Sequence, residues 1–179
     1  DNPGKDSQKS QIFIADYTYD VGDGFIDFNV GMSKNETLHS YDSDWGNYEF
    51  WLQDPYNFDP TIEGYQYDFF DSFDRDIDTR TFDLRFRSNR EEKNKVDYVF
   101  GLYQSNYEET TDAEGYLFGG SATSLANGYD IKTSSGYGEL AFNFENDPSL
   151  SLALRNERRN MTFNDLDDTS NSFKIRAEN

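Results

Sequence analysis

The segment between Tyr41 and Phe73 concentrates the side chains best suited to holding a ligand. It contains eight carboxylates and neither Lys nor Arg. It also contains six aromatic side chains with a hydrogen-bonding tip: Trp45, Tyr48, Trp51, Tyr56, Tyr65 and Tyr67. Aromatic faces suit planar or apolar ligands, and the indole N–H and phenol O–H add directional hydrogen bonds. These six residues are therefore the predicted ligand contacts.

Two other interpretations of this segment stay open from its residues. Its rings are also typical of an interfacial aromatic girdle, or of a loop that packs on itself. Its acidic stretch Asp42–Asn47 partly matches a calcium-binding loop, but the full ligand spacing and the terminal Glu are absent. A solvated acidic surface is the better interpretation of that stretch, so no metal site is predicted.

The rest of the chain contains no catalytic constellation. Cysteine is absent and His39 is the single histidine, so neither a thiol nucleophile nor a histidine metal cluster can be built. No Gly-rich phosphate loop and no nucleophile elbow occurs. The pair Asp167/Asp168 fits a glycosidase only loosely, because 35 acidic residues make chance pairs inevitable. We expect no enzyme activity and no cofactor.

The net charge of the chain restricts the partners that it can bind. The 35 acidic and 16 basic residues give a net charge of -19. Such a chain is repelled by polyanions, so we expect neither nucleic acid nor an anionic membrane surface as a partner. Aromatic residues nevertheless make up 17% of the chain, which predicts a folded protein because disordered chains are poor in them.

Seven segments alternate apolar and polar residues with a period of two, which is typical of β-strands that have one apolar face. The alternation is clearest in Phe82/Leu84/Phe86 and in Val96/Tyr98/Phe100/Leu102. No segment predicts a helix. The predicted strands are Gln11–Tyr19, Gly24–Ser33, Asp76–Arg87, Lys95–Tyr107, Ser134–Phe144, Ser149–Thr162 and Ser170–Glu178.

The connections between these strands alternate in length. Three are short: Asp20–Gly24, Ser88–Asn94 and Glu145–Pro148. Two are long: Lys34–Phe73 and Glu108–Thr133. Short turns at one end and long loops at the other are typical of an outer-membrane barrel. We predict an all-β antiparallel meander whose edge strands are the first and the last, although the core of a soluble β-sandwich would need the same alternation.

Several motifs resemble the barrel of TonB-dependent outer-membrane receptors. Asp83–Ser88 and Asp97–Tyr103 are similar to a strand, a short turn and a second strand found in the middle of that barrel. A later hairpin is similar at Gly138, Glu139, Leu140, Asp147, Leu150, Ser151, Leu152, Leu154 and Arg155. The likeness runs from about Tyr17 to Ala177, and the order and spacing of the motifs together are fairly specific.

The resemblance implies a partial transmembrane β-barrel, with about seven strands of a barrel of about 22. The family's signal peptide, TonB box and plug domain have no counterpart in the chain, so residues 1–179 are interpreted as a central segment of the barrel domain of a longer receptor. Charged side chains opposite the apolar stripes would then line a wet interior: Arg85, Arg87, Asp97, Glu139, Arg155, Glu157, Lys174 and Arg176.

The resemblance also implies a function. We expect TonB-coupled uptake of a bulky nutrient across the outer membrane of a Gram-negative bacterium, with a ferric siderophore as the first cargo to consider. The implied partners are that cargo, outer-membrane lipid, and TonB acting through the plug region. Two alternatives remain at this point: an extracellular β-sandwich that binds carbohydrate through its aromatic residues, and a small self-contained outer-membrane barrel without a transport role.

Overall fold

The chain forms one antiparallel sheet. The computed structural model describes residues 4–42, 48–57, 70–89, 95–117, 120–144 and 148–179. The strands are β1 (Lys5–Asp20), β2 (Gly24–Asp42), β3 (Phe70–Ser88), β4 (Val96–Leu117), β5 (Gly120–Asn143), β6 (Ser149–Asp165) and β7 (Phe173–Glu178). Each strand pairs with the next in chain order, which leaves β1 and β7 at the edges. The predicted all-β meander and its edge strands are confirmed.

The predicted long loops Lys34–Phe73 and Glu108–Thr133 are wrong in extent. β2 continues to Asp42, and β4 and β5 stay paired up to Leu117 and Gly120, with one irregularity at Gly115/Tyr116. These extensions carry polar residues on both faces, so the apolar–polar alternation that marks a strand disappears. The backbone ladder does not need that alternation, because its hydrogen bonds are made by main-chain groups.

Two short helical elements were not predicted. α1 (Tyr48–Leu52) lies between β2 and β3, and a single 3₁₀ turn, Thr169–Asn171, precedes β7. Neither is long enough or apolar enough to span a membrane, and this holds for every helix in the described ranges. The first β-turn is closed by the Val21 N–H, which donates to the Gly24 carbonyl at 3.0 Å, and Gly22 adopts the left-handed φ of +90° that glycine tolerates best.

The register divides the sheet into two unlike faces. Phe28, Leu84 and Leu102 lie opposite one another on β2, β3 and β4, and Leu140 lies opposite Leu152 on β5 and β6. We call their side the outer face, and the opposite side the inner face. The outer-face residues toward the short turns form the apolar belt: Phe13, Ala15, Tyr17, Tyr19, Ile26, Phe28, Val30, Met32, Phe82, Leu84, Phe86, Val96, Tyr98, Phe100, Leu102, Leu140, Phe142, Leu150, Leu152 and Leu154.

No second layer of the described protein covers the belt. Leu102 and Leu152 are each 60% exposed and Leu154 is 80% exposed. Among the described residues Ala113 is the only hydrophobic residue that is buried. A β-sandwich needs a second stacked sheet, whereas the strands described here form a single one. The apolar residues therefore face something other than this part of the chain.

A sheet without a core should not fold as a soluble unit. We expect the 179-residue chain, expressed alone in buffer without detergent, to aggregate or to unfold gradually, because its belt and both edge strands are uncovered. Urea titration followed by near-UV circular dichroism, with light scattering on the same samples, measures this. A monodisperse monomer with a sharp cooperative transition would contradict it, and solubility alone would not, since the charge of -19 keeps unfolded chains dispersed.

Candidate functional site

At the level of the apolar belt, the inner face is mostly polar, although Ile12, Ile14, Phe25 and Val99 also lie on it, and several of its charges are paired. The Arg87 Nε donates to the Asp27 Oδ2 at 2.6 Å across β2 and β3. On β3 the Arg85 Nε lies 3.3 Å from the Asp83 Oδ2. Such pairs contribute modestly to stability in a wet environment, but they fix which residues lie side by side. The inner face is therefore built for contact with water or with polar protein.

One inner-face contact joins three strands. Tyr137 on β5 lies across Gly101 on β4, and its hydroxyl donates to the Asp83 Oδ1 on β3 at 2.9 Å. A Cβ at Gly101 would collide with the Tyr137 ring. Glycine is required here because the phenol ring occupies the space where any side chain of β4 would stand.

Above the belt, toward the connections that follow β2 and β4, the inner face forms an open depression of about 740 Å³. Its lining residues come from β3, β4, β5 and β6, and all share the inner-face parity. They are Arg75, Tyr103, Ser105, Tyr107, Glu109, Tyr129, Ile131, Thr133, Arg155, Glu157, Arg159 and Met161. We call this the inner-face depression. Three Arg and three Tyr side chains make it both cationic and aromatic.

Most charges in the inner-face depression are neutralised by a neighbour. Arg75 Nε donates to Glu109 Oε1 at 2.7 Å, and the Tyr107 hydroxyl donates to the other oxygen of Glu109. Arg155 pairs with Glu157 and also lies over the Tyr103 ring, 5.7 Å from its centroid. Arg159 has no ion pair with any carboxylate in the described ranges. The depression therefore offers one uncompensated cation beside aromatic rings, a combination suited to an anionic ligand with rings.

The protonation of the Glu109 group follows from its contacts. The hydrogen bond from Arg75 lowers the pKa of Glu109, and this outweighs the opposite effect of burial. Burial raises the pKa of Tyr107, and the hydrogen bond to Glu109 raises it further. At neutral pH Glu109 is therefore ionised and Tyr107 is a neutral donor, so the edge of the depression keeps one fixed arrangement of hydrogen bonds.

The two faces exchange character above the belt. On the inner face, Tyr129 and Phe163 have ring centroids 5.0 Å apart, and Phe163 and Phe173 are 5.1 Å apart. The prediction that Lys174 and Arg176 line the interior is wrong. They pair with Thr162 and Asn160 and lie on the outer face, because on β7 the apolar residues point inward to this aromatic cluster. The other six predicted interior charges lie on the inner face.

The predicted ligand contacts are only partly described. Trp45, Tyr65 and Tyr67 lie outside the described residues, as does the side chain of Tyr48. The rings of Trp51 and Tyr56 have centroids 5.3 Å apart, and both contact the ring of Phe50. These two rings pack within their own segment, and ligand contact by the six residues stays a prediction.

Sequence reasoning missed the inner-face depression. A signal was present in Tyr103, Ser105, Tyr107 and Glu109, whose alternation with charged or amide residues continues beyond the predicted end of the strand. Only Glu109 falls in the predicted loop Glu108–Thr133, because the strand is predicted to end at Tyr107. No group of three or more His, Asp or Glu residues within the described ranges is placed to hold a metal ion.

Comparisons with known proteins found no match, so the site is interpreted from its geometry alone. No protein-family model matches the chain, and neither a curated protein nor a solved structure matches it.

The Tyr137 contact predicts an unequal response to two similar substitutions. Gly101→Ala should destabilise the protein by about 1–3 kcal/mol, because the Tyr137 ring must move and its hydrogen bond to Asp83 is lost. Gly136→Ala is the matched control on the neighbouring strand, since a Cβ there meets only Leu102 Cδ2, at 3.8 Å. Denaturant unfolding of the detergent-solubilised protein measures both. Equal effects of the two substitutions would contradict the assigned role of Gly101.

Proposed function

We propose that the chain is part of the barrel of an outer-membrane receptor that takes up a bulky nutrient, with a ferric siderophore as the cargo. The apolar belt contacts lipid, and the inner face lines a wet interior. Energy comes from TonB through a plug region, and the chain performs no catalysis. The location is the outer membrane of a Gram-negative bacterium.

The observation that carries this proposal is the slope of the apolar belt across the sheet. The upper border of the belt lies at Met32 on β2 and at Leu154 on β6. Through the register, Leu154 shares a row with Ile26, which is six residues below Met32 on β2. The lower border also falls, from Ile26 on β2 to Leu150 on β6. The row of Ile26 crosses β4 at Phe100, whereas the row of Leu150 crosses β4 at Val96, which is four residues lower.

This slope is what a flat apolar slab produces when tilted strands cross it. A fall of six residues at about 3.3 Å each, over four strand spacings of about 4.8 Å, corresponds to a tilt of about 45°. The lower border gives about 35° by the same geometry. Strands of outer-membrane barrels are tilted by about 35–45° from the membrane normal. The belt thus supports lipid as the medium on the outer face.

The polarity of the inner face supports transport rather than anchoring alone. A lipid-embedded sheet with ion pairs on its other face must enclose water or polar protein, since unpaired charges in lipid are costly. The inner-face depression lies on that wet side, toward the connections that follow β2 and β4. Its Arg and Tyr side chains suit a ferric chelate that bears negative charge and aromatic rings.

Two adjacent arginines provide the test. Arg159 lies in the inner-face depression, whereas Arg158 lies on the outer face opposite Ser134. In cells that express the full receptor, Arg159→Gln should reduce uptake of a negatively charged ferric tris-catecholate about tenfold, the cost of one charge-assisted contact. Arg158→Gln removes the same charge and should leave uptake unchanged. Radiolabelled iron measures uptake, with a neutral ferric hydroxamate of similar size as the comparison cargo.

Deleting the receptor gene should abolish uptake of the cargo altogether. Uptake that persists at the wild-type rate in the deletion strain, for every ferric chelate offered, would contradict the proposed function. Equal losses in the two arginine variants would contradict the assignment of the inner-face depression as the cargo site.

A further inference from the structure

Basic residues follow the apolar belt directly on the outer face. The first outer-face positions beyond the belt on β2 and β3 are Lys34 and Arg80, and the corresponding positions on β4, β5 and β6 are uncharged. None of these first positions is acidic, although the chain has 35 acidic and 16 basic residues. We call the cations at the first positions and just beyond them the basic rim: Lys9, Lys34, Arg80, Lys132 and Arg158.

On β2 to β5 the acidic residues of the outer face begin farther from the belt, whereas Glu178 on β7 lies level with Arg158 and pairs with it at 2.6 Å. On three strands the carboxylate stands two residues beyond the cation, on the side away from the belt. The pairs are Lys34–Glu36 at 2.7 Å, Arg80–Asp78 at 3.6 Å and Lys132–Asp130 at 3.4 Å. The same order on three strands creates a gradient from apolar, through basic, to acidic.

The cations of the basic rim can still bind another anion. Their side chains are 46–64% exposed. A lysine ammonium has three donors and an arginine guanidinium has five, so one carboxylate partner leaves donors unused. Their aliphatic stems can lie along the upper part of the belt while the charged ends reach outward.

The opposite border of the belt carries no such cation within the described strands. Among the described residues, no Lys or Arg occupies an outer-face strand position toward the short turns. A general preference of long cationic side chains for any lipid–water boundary would place them at both borders. Within the described strands the outer-face cations lie at one border, which points to negative charge in the leaflet that they face. Arg90 and Lys93 of the turn between β3 and β4 are outside the described residues, and Lys95 is outside the strands.

We propose that the basic rim binds the phosphate groups of lipid headgroups in the leaflet on the side of the connections that follow β2 and β4. This inference rests on the membrane location proposed above. The net charge of -19 argues against binding to an anionic membrane surface. That total does not show, however, that basic and acidic residues of the outer face lie at different distances from the belt. The basic rim meets the headgroups, and the acidic residues lie beyond them in water.

The test compares two triple variants of the full receptor in lipid nanodiscs. The rim variant carries Lys34→Gln, Arg80→Gln and Lys132→Gln. The control carries Arg75→Gln, Arg155→Gln and Arg159→Gln, which removes the same charge from the inner face. Bis-phosphorylated lipid A is titrated into phosphatidylcholine nanodiscs, and bound lipid is quantified by native mass spectrometry. Each rim cation should contribute about fivefold to retention of lipid A, so the rim variant should retain far less than the wild type.

The outcomes separate this inference from the proposed function. A nitroxide at Leu102→Cys reports whether the belt is in lipid in every sample. Loss of lipid A in the rim variant, with the control unchanged and the belt still in lipid, supports the basic rim. Equal retention in both variants with the belt in lipid overturns the basic rim alone. Displacement of lipid A by millimolar inorganic phosphate also overturns it, because the site would then bind free anions. A belt outside lipid in the wild type overturns the proposed function.

Discussion

The absence of a protein core constrains everything else about this sheet. In the described part of the chain the only buried hydrophobic residue is Ala113, while side chains such as Leu154 are left open. Burial of apolar area is the main driving force of folding, so a sheet of this size needs an apolar medium from outside itself. The ladder of main-chain hydrogen bonds holds neighbouring strands together, but it does not decide which face meets which medium.

The proposed membrane location gives the sheet two media, and these account for the distribution of its side chains. At belt level the outer face is uniformly apolar, and the inner face uses pairs such as Arg87–Asp27. Above the belt both faces meet water, so apolar residues are no longer confined to one side. Phe163 and Phe173 then cluster inward while Lys174 and Arg176 point outward. For the proposed membrane location, the change of pattern marks the height at which lipid ends.

The sequence predicted what depends on local alternation and failed where that alternation stops. The strands and their two faces at belt level follow from period-two patterns such as Val96/Tyr98/Phe100/Leu102, whereas the strand order and edges are predicted from the alternating connection lengths and the family resemblance. The sequence predicts loops for the upper parts of β2 to β5, because residues such as Ser72 and Thr110 are polar whichever face they occupy. The inner-face depression could not be found in the same way. It combines residues as distant in sequence as Arg75 and Arg159, and only the register brings them together.

Collision accessibility along β4 tests most directly whether the belt faces lipid. The chain has no cysteine of its own, so nitroxides can be attached at single introduced cysteines from Val96 to Asn106, omitting Gly101. A lipid-facing belt predicts that labels at 98, 100 and 102 collide with oxygen and are shielded from a water-soluble nickel chelate, with the reverse at 97, 99 and 103. It also predicts that this protection ends at 104 and 106, above the belt. Labels at 98, 100 and 102 that are shielded from both reagents, or open to the nickel chelate, would contradict it.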